Sequence, residues 1–172
     1  MKYTYAILII FILGCNSNQT SEKNEILDGQ YVKTNNDGII TIIGNFLNGE
    51  KEGHFMYFDQ KGKLQAQENY RNDLLNGIQI TVHSTGKIDT KTSYEDGQQN
   101  GSYTKYYKTG KLRESGSYKD GQKEGEIIWY YDNGQKNIVY TYQNGQLHGS
   151  TQTFDKEGLL IEEGNYKNGQ KL

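Results

Sequence analysis

The sequence predicts an all-β fold, an elongated single-layer antiparallel meander of about six β-hairpin repeats of 24 residues each. A glycine recurs with this period, and so do a second glycine and an aromatic residue. The three columns are Gly29, Gly53, Gly77, Gly101, Gly125 and Gly149; Gly38, Gly62, Gly86, Gly110, Gly134 and Gly158; and Phe46, Tyr70, Tyr94, Tyr118, Tyr142 and Tyr166. A fixed period of this length is typical of repeat architectures, in which each unit packs on its neighbours.

The composition agrees with a thin structure. The 172 residues are 33% hydrophobic, with 21 glycines and no proline, which is too little apolar material for a deep globular core. Fifteen tyrosines supply much of the apolar area, and a tyrosine packs its ring while its hydroxyl stays in water. The formal net charge is −2, so no excess of positive charge favours nucleic acid or anionic lipid headgroups as partners.

Each repeat contains a hairpin signal. Gly125 to Tyr131 is rich in aromatic and β-branched residues, Asp132 to Gly134 has turn chemistry, and Gln135 to Tyr142 is a second extended run. Glycine at the third turn position predicts a three-residue loop that ends in a left-handed residue. This loop places Tyr130 opposite Lys136. The equivalent pairs, which predict an apolar strip on one face, are Phe58 and Leu64, Val82 and Ile88, Tyr106 and Leu112, and Phe154 and Leu160.

A second turn joins successive hairpins. Its dipeptides tolerate left-handed backbone well, and they are Asn48-Gly49, Asn72-Asp73, Asp96-Gly97, Asp120-Gly121, Asn144-Gly145 and Asn168-Gly169. Three further glycines, Gly44, Gly116 and Gly164, precede the aromatic column by two residues. We interpret them as packing glycines that leave room on the apolar strip for a ring to lie against bare backbone.

The start of the chain differs from the rest. Residues 1–14 combine Lys2 with an apolar run too short to span a bilayer, which predicts a signal peptide. The segment from Ile12 to Cys15 resembles the lipobox of bacterial lipoproteins, which implies lipid on the Cys15 sulfur and a place in the cell envelope. Residues 15–24 then form a lipid-anchored tether, and residues 25–172 form the repeat domain. An ordinary cleaved signal with a chance cysteine is the alternative.

The repeats themselves resemble a known family. Tyr118 to Gly125, followed by Trp129 to Gly134, is similar to the bacterial variant of the MORN repeat, and the resemblance extends over about Gly29 to Leu172. It implies a β-hairpin repeat sheet and, for many bacterial members, an antitoxin-like role.

No catalytic or metal-binding pattern emerges. His54, His83 and His148 fall at different positions within their repeats, so the fold does not stack them, and no nucleophile stands beside a base. Paired acids such as Glu162 and Glu163 fit solvated carboxylates better than an acid pair. We therefore expect a protein that is not an enzyme and that uses no cofactor and no metal.

Binding is the function that the sequence favours. Opposite the apolar strip we expect an exposed face that carries Tyr31, Phe55, Tyr57, Tyr103, Lys105, Tyr107, Ile127, Trp129 and Tyr131. Aromatic side chains beside cations are typical of protein interfaces. The candidate partner-binding residues are Phe55, Tyr57, Tyr103, Tyr107, Trp129 and Tyr131. A protein partner, bound by a scaffold or an antitoxin-like neutraliser, is the first hypothesis; a cell-wall glycan is the alternative, and cross-strand aromatic pairing without any ligand is the third.

The last strand carries Lys167 and Lys171. Charged side chains on an edge strand discourage pairing with a second copy. We expect a monomer on the membrane.

Overall fold

The computed structural model describes residues 26–172. All fifteen elements in this range are β-strands of one open antiparallel sheet, which confirms the predicted fold class. The strands are β1 (Gly29–Thr34), β2 (Ile40–Leu47), β3 (Glu50–Lys51), β4 (Gly53–Phe58), β5 (Leu64–Arg71), β6 (Leu74–Leu75), β7 (Gly77–Val82), β8 (Ile88–Glu95), β9 (Gln98–Tyr106), β10 (Leu112–Lys119), β11 (Gln122–Tyr130), β12 (Lys136–Gln143), β13 (Gln146–Phe154), β14 (Leu160–Lys167) and β15 (Gln170–Lys171).

The predicted signal peptide over residues 1–14, the Cys15 lipidation site and the whole tether over residues 15–24 lie outside the described residues. Within residues 26–172 there is no helix with the length and apolar character needed to cross a membrane.

The strands pair in chain order, so each hairpin lies beside the next. Short β3 and β6 pair with β2 and β5 and lie off the main path of the sheet. In later repeats the equivalent residues are continuous with the long strand that follows, as in β9 and β11. Every repeat therefore contributes one bent strand and one returning strand.

The first turn of each repeat has the predicted geometry. The Tyr131 N–H donates to the Gln135 carbonyl at 2.8 Å, and the Gly134 N–H donates to the Tyr131 carbonyl at 3.0 Å. Gly134 has φ +95°, which glycine adopts without steric cost. All five predicted cross-strand pairs are present, including Tyr130 with Lys136. The turn chemistry and the register were thus predicted correctly.

The second turn is a two-residue loop with positive φ at both positions. Asn48 and Gly49 have φ 53° and 86°, which is the backbone of a type I′ hairpin turn. Asn72 and Asp73, which lack the glycine, take φ 49° and 62°. The glycine N–H of the second turn also forms a hydrogen bond with the start of its own repeat. Gly97, for example, donates to the Leu75 carbonyl at 2.8 Å. Because Leu75 follows the second turn of the repeat before, this bond connects successive second turns.

The best-buried side chains lie on the face that the sequence predicted to be exposed. Phe55, Tyr103 and Ile127 occupy the same position in three repeats and are 1%, 2% and 0% exposed. The prediction that these side chains lie in water is therefore wrong. On the opposite face the predicted apolar strip is only partly buried, and Leu160 is 50% exposed. Most of the buried apolar side chains among residues 26–172 lie on the face defined by Phe55, Tyr103 and Ile127, which we call the Phe55 face. Val139, 5% exposed and paired with Ile128, is buried on the opposite face.

A repeated irregularity in the strand pairing explains this reversal. Ser115 pairs with Ile128 and Ser117 pairs with Glu124, so Gly116 alone stands opposite three residues, 125–127. The longer strand bends there because Gly125 adopts φ +75°. A Cβ on Gly116 would lie 2.3 Å from Ile127 Cδ1, which shows how closely the side chain packs on the backbone. Because of this bend, β11 folds over the side chain of its own residue Ile127 and buries it.

The packing role predicted for the glycines is confirmed for Gly44 and Gly116. A Cβ on Gly44 would lie 2.2 Å from the Phe55 ring. Both glycines, however, serve the Phe55 face and not the predicted apolar strip. At Gly164 the nearest side-chain atom to such a Cβ is Thr151 Oγ1, at 3.1 Å.

Candidate functional site

A buried carboxylate lies at the centre of the Phe55 face. Glu114 is 6% exposed and accepts a hydrogen bond from the Tyr103 hydroxyl at 2.6 Å. The Lys105 ammonium lies 3.0 Å and the Lys123 ammonium 3.5 Å from its carboxylate oxygens. We call these four residues the Glu114 cluster. Together they satisfy a charge whose burial alone would be costly.

The environment sets the ionisation of this cluster. Burial raises the pKa of Glu114, but the hydrogen bonds from Tyr103 and Lys105 and the charges of Lys105 and Lys123 outweigh it, so the pKa is lowered. Burial, followed by the hydrogen bond to Glu114, raises the pKa of the Tyr103 hydroxyl above its ordinary value. Glu114 is therefore an anion and Tyr103 a neutral donor at neutral pH. Neither group is poised near pH 7, as a general acid or base would be.

Strand pairing brings the lysines to aromatic rings. Glu114 stands between Lys105 and Trp129 in the sheet. The Lys123 ammonium lies 4.9 Å from the centre of the Trp129 ring and 5.4 Å from that of Tyr142. Trp129 also contacts Tyr140 edge to face, with 5.6 Å between centroids. Cation–π contacts at this distance hold the lysine stems against the rings.

A second cluster surrounds Lys51. Its ammonium donates to the Tyr57 hydroxyl at 3.1 Å and lies 4.5 Å from the centre of the Tyr70 ring. The Tyr70 hydroxyl in turn donates to a Glu68 carboxylate oxygen at 2.5 Å. The Phe55 ring contacts Tyr70 edge to face at 5.3 Å. We call Lys51, Phe55, Tyr57, Glu68 and Tyr70 the Lys51 cluster.

A shallow groove lies along the first turns of neighbouring repeats. It encloses about 510 Å³, and its lining residues are Tyr107, Lys108, Thr109, Tyr131, Asp132 and Lys156. The Tyr107 hydroxyl donates to the Tyr130 carbonyl at 2.6 Å, and the Tyr131 hydroxyl donates to the Phe154 carbonyl at 2.9 Å. Each tyrosine thus fixes its turn to the next repeat and leaves part of its ring at the surface.

The six predicted binding residues separate into two groups. Phe55 and Tyr103 are core side chains that cannot contact a partner without unfolding of the strand around them. The other four, Tyr57, Tyr107, Trp129 and Tyr131, are half-buried. Trp129 and Tyr131 are two residues apart in one strand and turn, so the same side of the molecule presents both. Their binding role stays a prediction.

The histidines do not converge. His83 lies 3.2 Å from Asp89 and 3.0 Å from the Tyr106 carbonyl, and His148 lies 3.2 Å from Asn168. Among residues 26–172, no three histidine, cysteine, aspartate or glutamate side chains gather as metal ligands would.

Sequence reasoning missed Glu114, Lys51 and Lys123. A signal was present, because Lys51 and Lys123 fall at the same position in repeats 72 residues apart. The position of Glu114 is apolar in three other repeats, at Ile42, Ala66 and Ile138, and carries a charge elsewhere only at Glu162 in the last repeat. Only the pairing register shows that these positions meet on one face.

An open array of β-hairpins, each bent over its own side chain, defines a repeat protein whose surface extends along the sheet. The family model of the MORN repeat variant matches residues 51–72, 99–120, 123–144 and 147–168, slightly more than half of the chain. The chain belongs to the MORN repeat variant family. Residues 27–48 and 75–96, which lie outside the matches, form hairpins of the same design.

No curated protein matches the chain significantly. Among solved structures, the chain is similar to one described as the crystal structure of the GtfA/B complex bound to UDP and GlcNAc. The identity is 14%, the match covers 67% of this chain and 22% of that chain, and the TM-score is 0.29. The chain therefore spans less than a quarter of that structure's length.

Proposed function

We propose that this protein is a non-catalytic binding module, held at a bacterial envelope membrane by lipid on Cys15, that captures a protein partner in an antitoxin-like or scaffolding role. The observation that carries the proposal is the groove lined by Tyr107 and Tyr131, with half-buried Trp129 two residues before Tyr131 in the chain. Half-buried aromatic side chains next to cations are enriched at protein interfaces. We call this surface the Trp129 surface.

The charges on this surface indicate the chemistry of the partner. Lys108 and Lys156 are exposed beside the groove, and Lys105 and Lys123 keep about a third of their side chains in water. The carboxylate that pairs with Lys105 and Lys123, Glu114, is buried beneath them. The two lysines that line the groove outnumber the acid that lines it, exposed Asp132. A partner that carries carboxylates therefore complements the surface, and charge complementarity of this kind favours both association rate and specificity.

The proposed test is capture of the product of a neighbouring gene by the full lipidated chain in detergent. Trp129→Ala and Tyr131→Ala are compared with Tyr94→Ala, a control because Tyr94 is also a half-buried tyrosine but is not among the candidate binding residues. We expect capture by the wild type and by Tyr94→Ala, and at least a tenfold weaker affinity for the other two variants, the loss expected from removing one interface anchor of about 1.4 kcal/mol or more. Equal capture by all four proteins would remove the Trp129 surface from consideration.

Trp129 also provides a direct readout, since it is the one tryptophan of the chain. Its emission should shift when the partner binds. Wall glycan fragments are added in a parallel arm, where a saturable shift, together with no protein capture, would favour the glycan-binding alternative instead.

A further inference from the structure

We propose that copies of this chain pair head to tail, with the outer edge of β14 in one copy bonded to the outer edge of β1 in the next. Within residues 26–172, no strand lies beside the outer edge of β1, and β15 pairs only with the end of β14, at Tyr166 and Lys167. Exposed strand edges carry unpaired backbone groups and are templates for another strand.

The repeat register specifies how the two edges would meet. At all five junctions between repeats, the facing residues occupy the same two positions of the repeat and are 15 residues apart in the sequence. These pairs are Ile42 and Tyr57, Ala66 and Thr81, Thr90 and Lys105, Glu114 and Trp129, and Ile138 and Thr153. One further junction places Glu162 opposite the position that Lys33 holds in the first repeat. Val32 then stands opposite Glu163.

The charges at this junction are complementary. Glu162 already has Lys171 at 3.4 Å, and these two residues are related in sequence as Glu114 and Lys123 are, at 3.5 Å. Glu114 has a second lysine directly across a strand pair, Lys105. Lys33 of the second copy would give Glu162 its second lysine. Opposite charges that face each other across two strands stabilise the pairing.

The shapes at the first turns are complementary as well. A side chain of one repeat covers the turn glycine of the next at three places, where a Cβ on Gly62, Gly110 or Gly158 would lie 3.1–3.3 Å from Ile39, Lys87 or Gln135. Leu159 is the same residue of the last hairpin and is 67% exposed. Gly38 is the same glycine of the first hairpin, and no described atom lies within 4 Å of such a Cβ. Gly86 and Gly134, inside the sheet, are open in the same way. In the proposed junction Leu159 of one copy would cover Gly38 of the next as Ile39 covers Gly62.

The Phe55 face continues across the same junction. Gly44 receives the Phe55 ring and Gly116 receives Ile127, in each case the residue 11 positions further on. Gly164 is the third glycine of this column, and in the continued register it meets Tyr31 of the second copy. A tyrosine over a glycine repeats the large-on-small packing of the first two junctions.

The two edges can meet only if the short segment of Leu27 and Asp28 before β1 is displaced. The Leu172 N–H donates to the Asn165 carbonyl at 2.9 Å, as Glu52 does to Asn45, so Lys171 and Leu172 stand where Leu27 and Asp28 stand in the first repeat. Ile26 and Leu27 are 70% and 38% exposed, and little packing holds their segment. We infer that Lys171 and Leu172 displace Leu27 and Asp28 of the next copy.

The displaced segment's backbone bond can be replaced. The Leu27 carbonyl accepts a hydrogen bond from Gly49 at 2.8 Å, and the Lys171 carbonyl would accept it after the exchange. The displacement therefore keeps this bond and gives up the one that the Asn48 N–H donates to Asp28 Oδ1 at 3.3 Å.

Two β14 edges do not suit each other, because Glu162 and Glu163 of both copies would be brought together. Lys171, which the sequence suggested as a guard against pairing, is already engaged with Glu162. Lys167 lies where β15 covers the strand. A head-to-tail contact leaves one edge of each copy free for the next, so copies can add beyond a dimer.

The test is a register-specific cross-link in the full chain, in detergent micelles under mild oxidation. Lys33→Cys combined with Glu162→Cys should give a ladder of dimers, trimers and higher species on non-reducing gels, since facing residues of paired strands are close enough for a disulfide. Lys33→Cys with Glu163→Cys is the matched control, and it should give none because adjacent residues point to opposite faces. No ladder, or equal ladders in both, would overturn the proposal.

Charge reversal provides a second measurement that needs no cysteine. Glu162→Lys should abolish the larger species in sedimentation velocity, and addition of Lys33→Glu to the same chain should restore them. Glu126→Lys, at an exposed residue of the inner strand β11, away from both outer edges of the sheet, should leave the distribution unchanged. Failure of the double variant to restore assembly would contradict the pairing of Lys33 with Glu162.

Discussion

The surroundings of Lys51 and Lys123, which hold the same position in repeats 72 residues apart, differ in charge. Shifted by this interval, Tyr31, Lys33, Gly44 and Lys51 superpose on residues of the same type, Tyr103, Lys105, Gly116 and Lys123. Four positions near them differ: Ile42, Phe55, Tyr57 and Glu68 correspond to Glu114, Ile127, Trp129 and Tyr140. Both lysines contact aromatic rings, but Lys51 also donates to the Tyr57 hydroxyl, whereas Lys123 also pairs with the buried carboxylate of Glu114. The exchange of Ile42 for Glu114 places a buried charge beside the lysine.

The largest loss of stability should come from removing the Phe55 ring. Phe55 is almost completely buried and contacts the rings of Phe46, Tyr57 and Tyr70, so Phe55→Ala should lower the free energy of unfolding by about 3–5 kcal/mol. The measurement is urea unfolding followed by circular dichroism.

Tyr31→Ala is the matched control for this variant. Tyr31 occupies the same position in the first repeat but is only half-buried, so its loss should cost clearly less. Equal costs at the two positions would mean that burial on the Phe55 face does not determine stability.

The second prediction concerns the glycines beneath these side chains. Gly44→Ala places a methyl group 2.2 Å from a ring that is packed on all sides, and this should cost about 1–3 kcal/mol of unfolding free energy. Gly164→Ala is the control, because its nearest neighbour is 3.1 Å away and two of the three nearest atoms belong to the exposed or half-buried residues Lys171 and Tyr166. A comparison of denaturation midpoints should rank Gly44→Ala well below Gly164→Ala. Equal denaturation midpoints for the two variants would show that the sheet relaxes around an added methyl group.

The sequence was sufficient to predict the repeats, the turns and the register, because these depend on local chemistry. Gly134 and Asn48-Gly49 require left-handed backbone that their neighbours in the chain do not, and alternation then sets which residues face each other. The assignment of the two faces failed at Phe55 and Tyr103 because alternation does not reveal which face the sheet bends over. The three-against-one pairing at Gly116 determines that bend. The column of Gly53, Gly101 and Gly125, all with positive φ, was its visible sign.

The smallest predicted effect concerns the buried charge beside Lys123. Glu114→Gln keeps the shape of the side chain but removes its charge, so Lys105 and Lys123 lose their counterion while they retain access to water. We expect a loss of about 0.5–1.5 kcal/mol in the free energy of unfolding at pH 7, the net contribution of one hydrogen bond. Glu157→Gln, a fully solvated carboxylate, should have no measurable effect.

The pH dependence distinguishes a charge effect from a packing effect. The pKa of Glu114 is lower in the folded chain than its ordinary value of 4.5, so the folded state releases this proton more readily than the unfolded chain does. The stabilisation by the ionised carboxylate is therefore complete above pH 4.5 and is lost as the pH falls through the lower folded pKa. Glutamine does not titrate, and the stability gap between wild type and Glu114→Gln should narrow over that acidic range. A gap of constant size from pH 7 down to pH 3 would mean that Glu114 acts through its shape, as Ile42 does in the other cluster, and not through its charge.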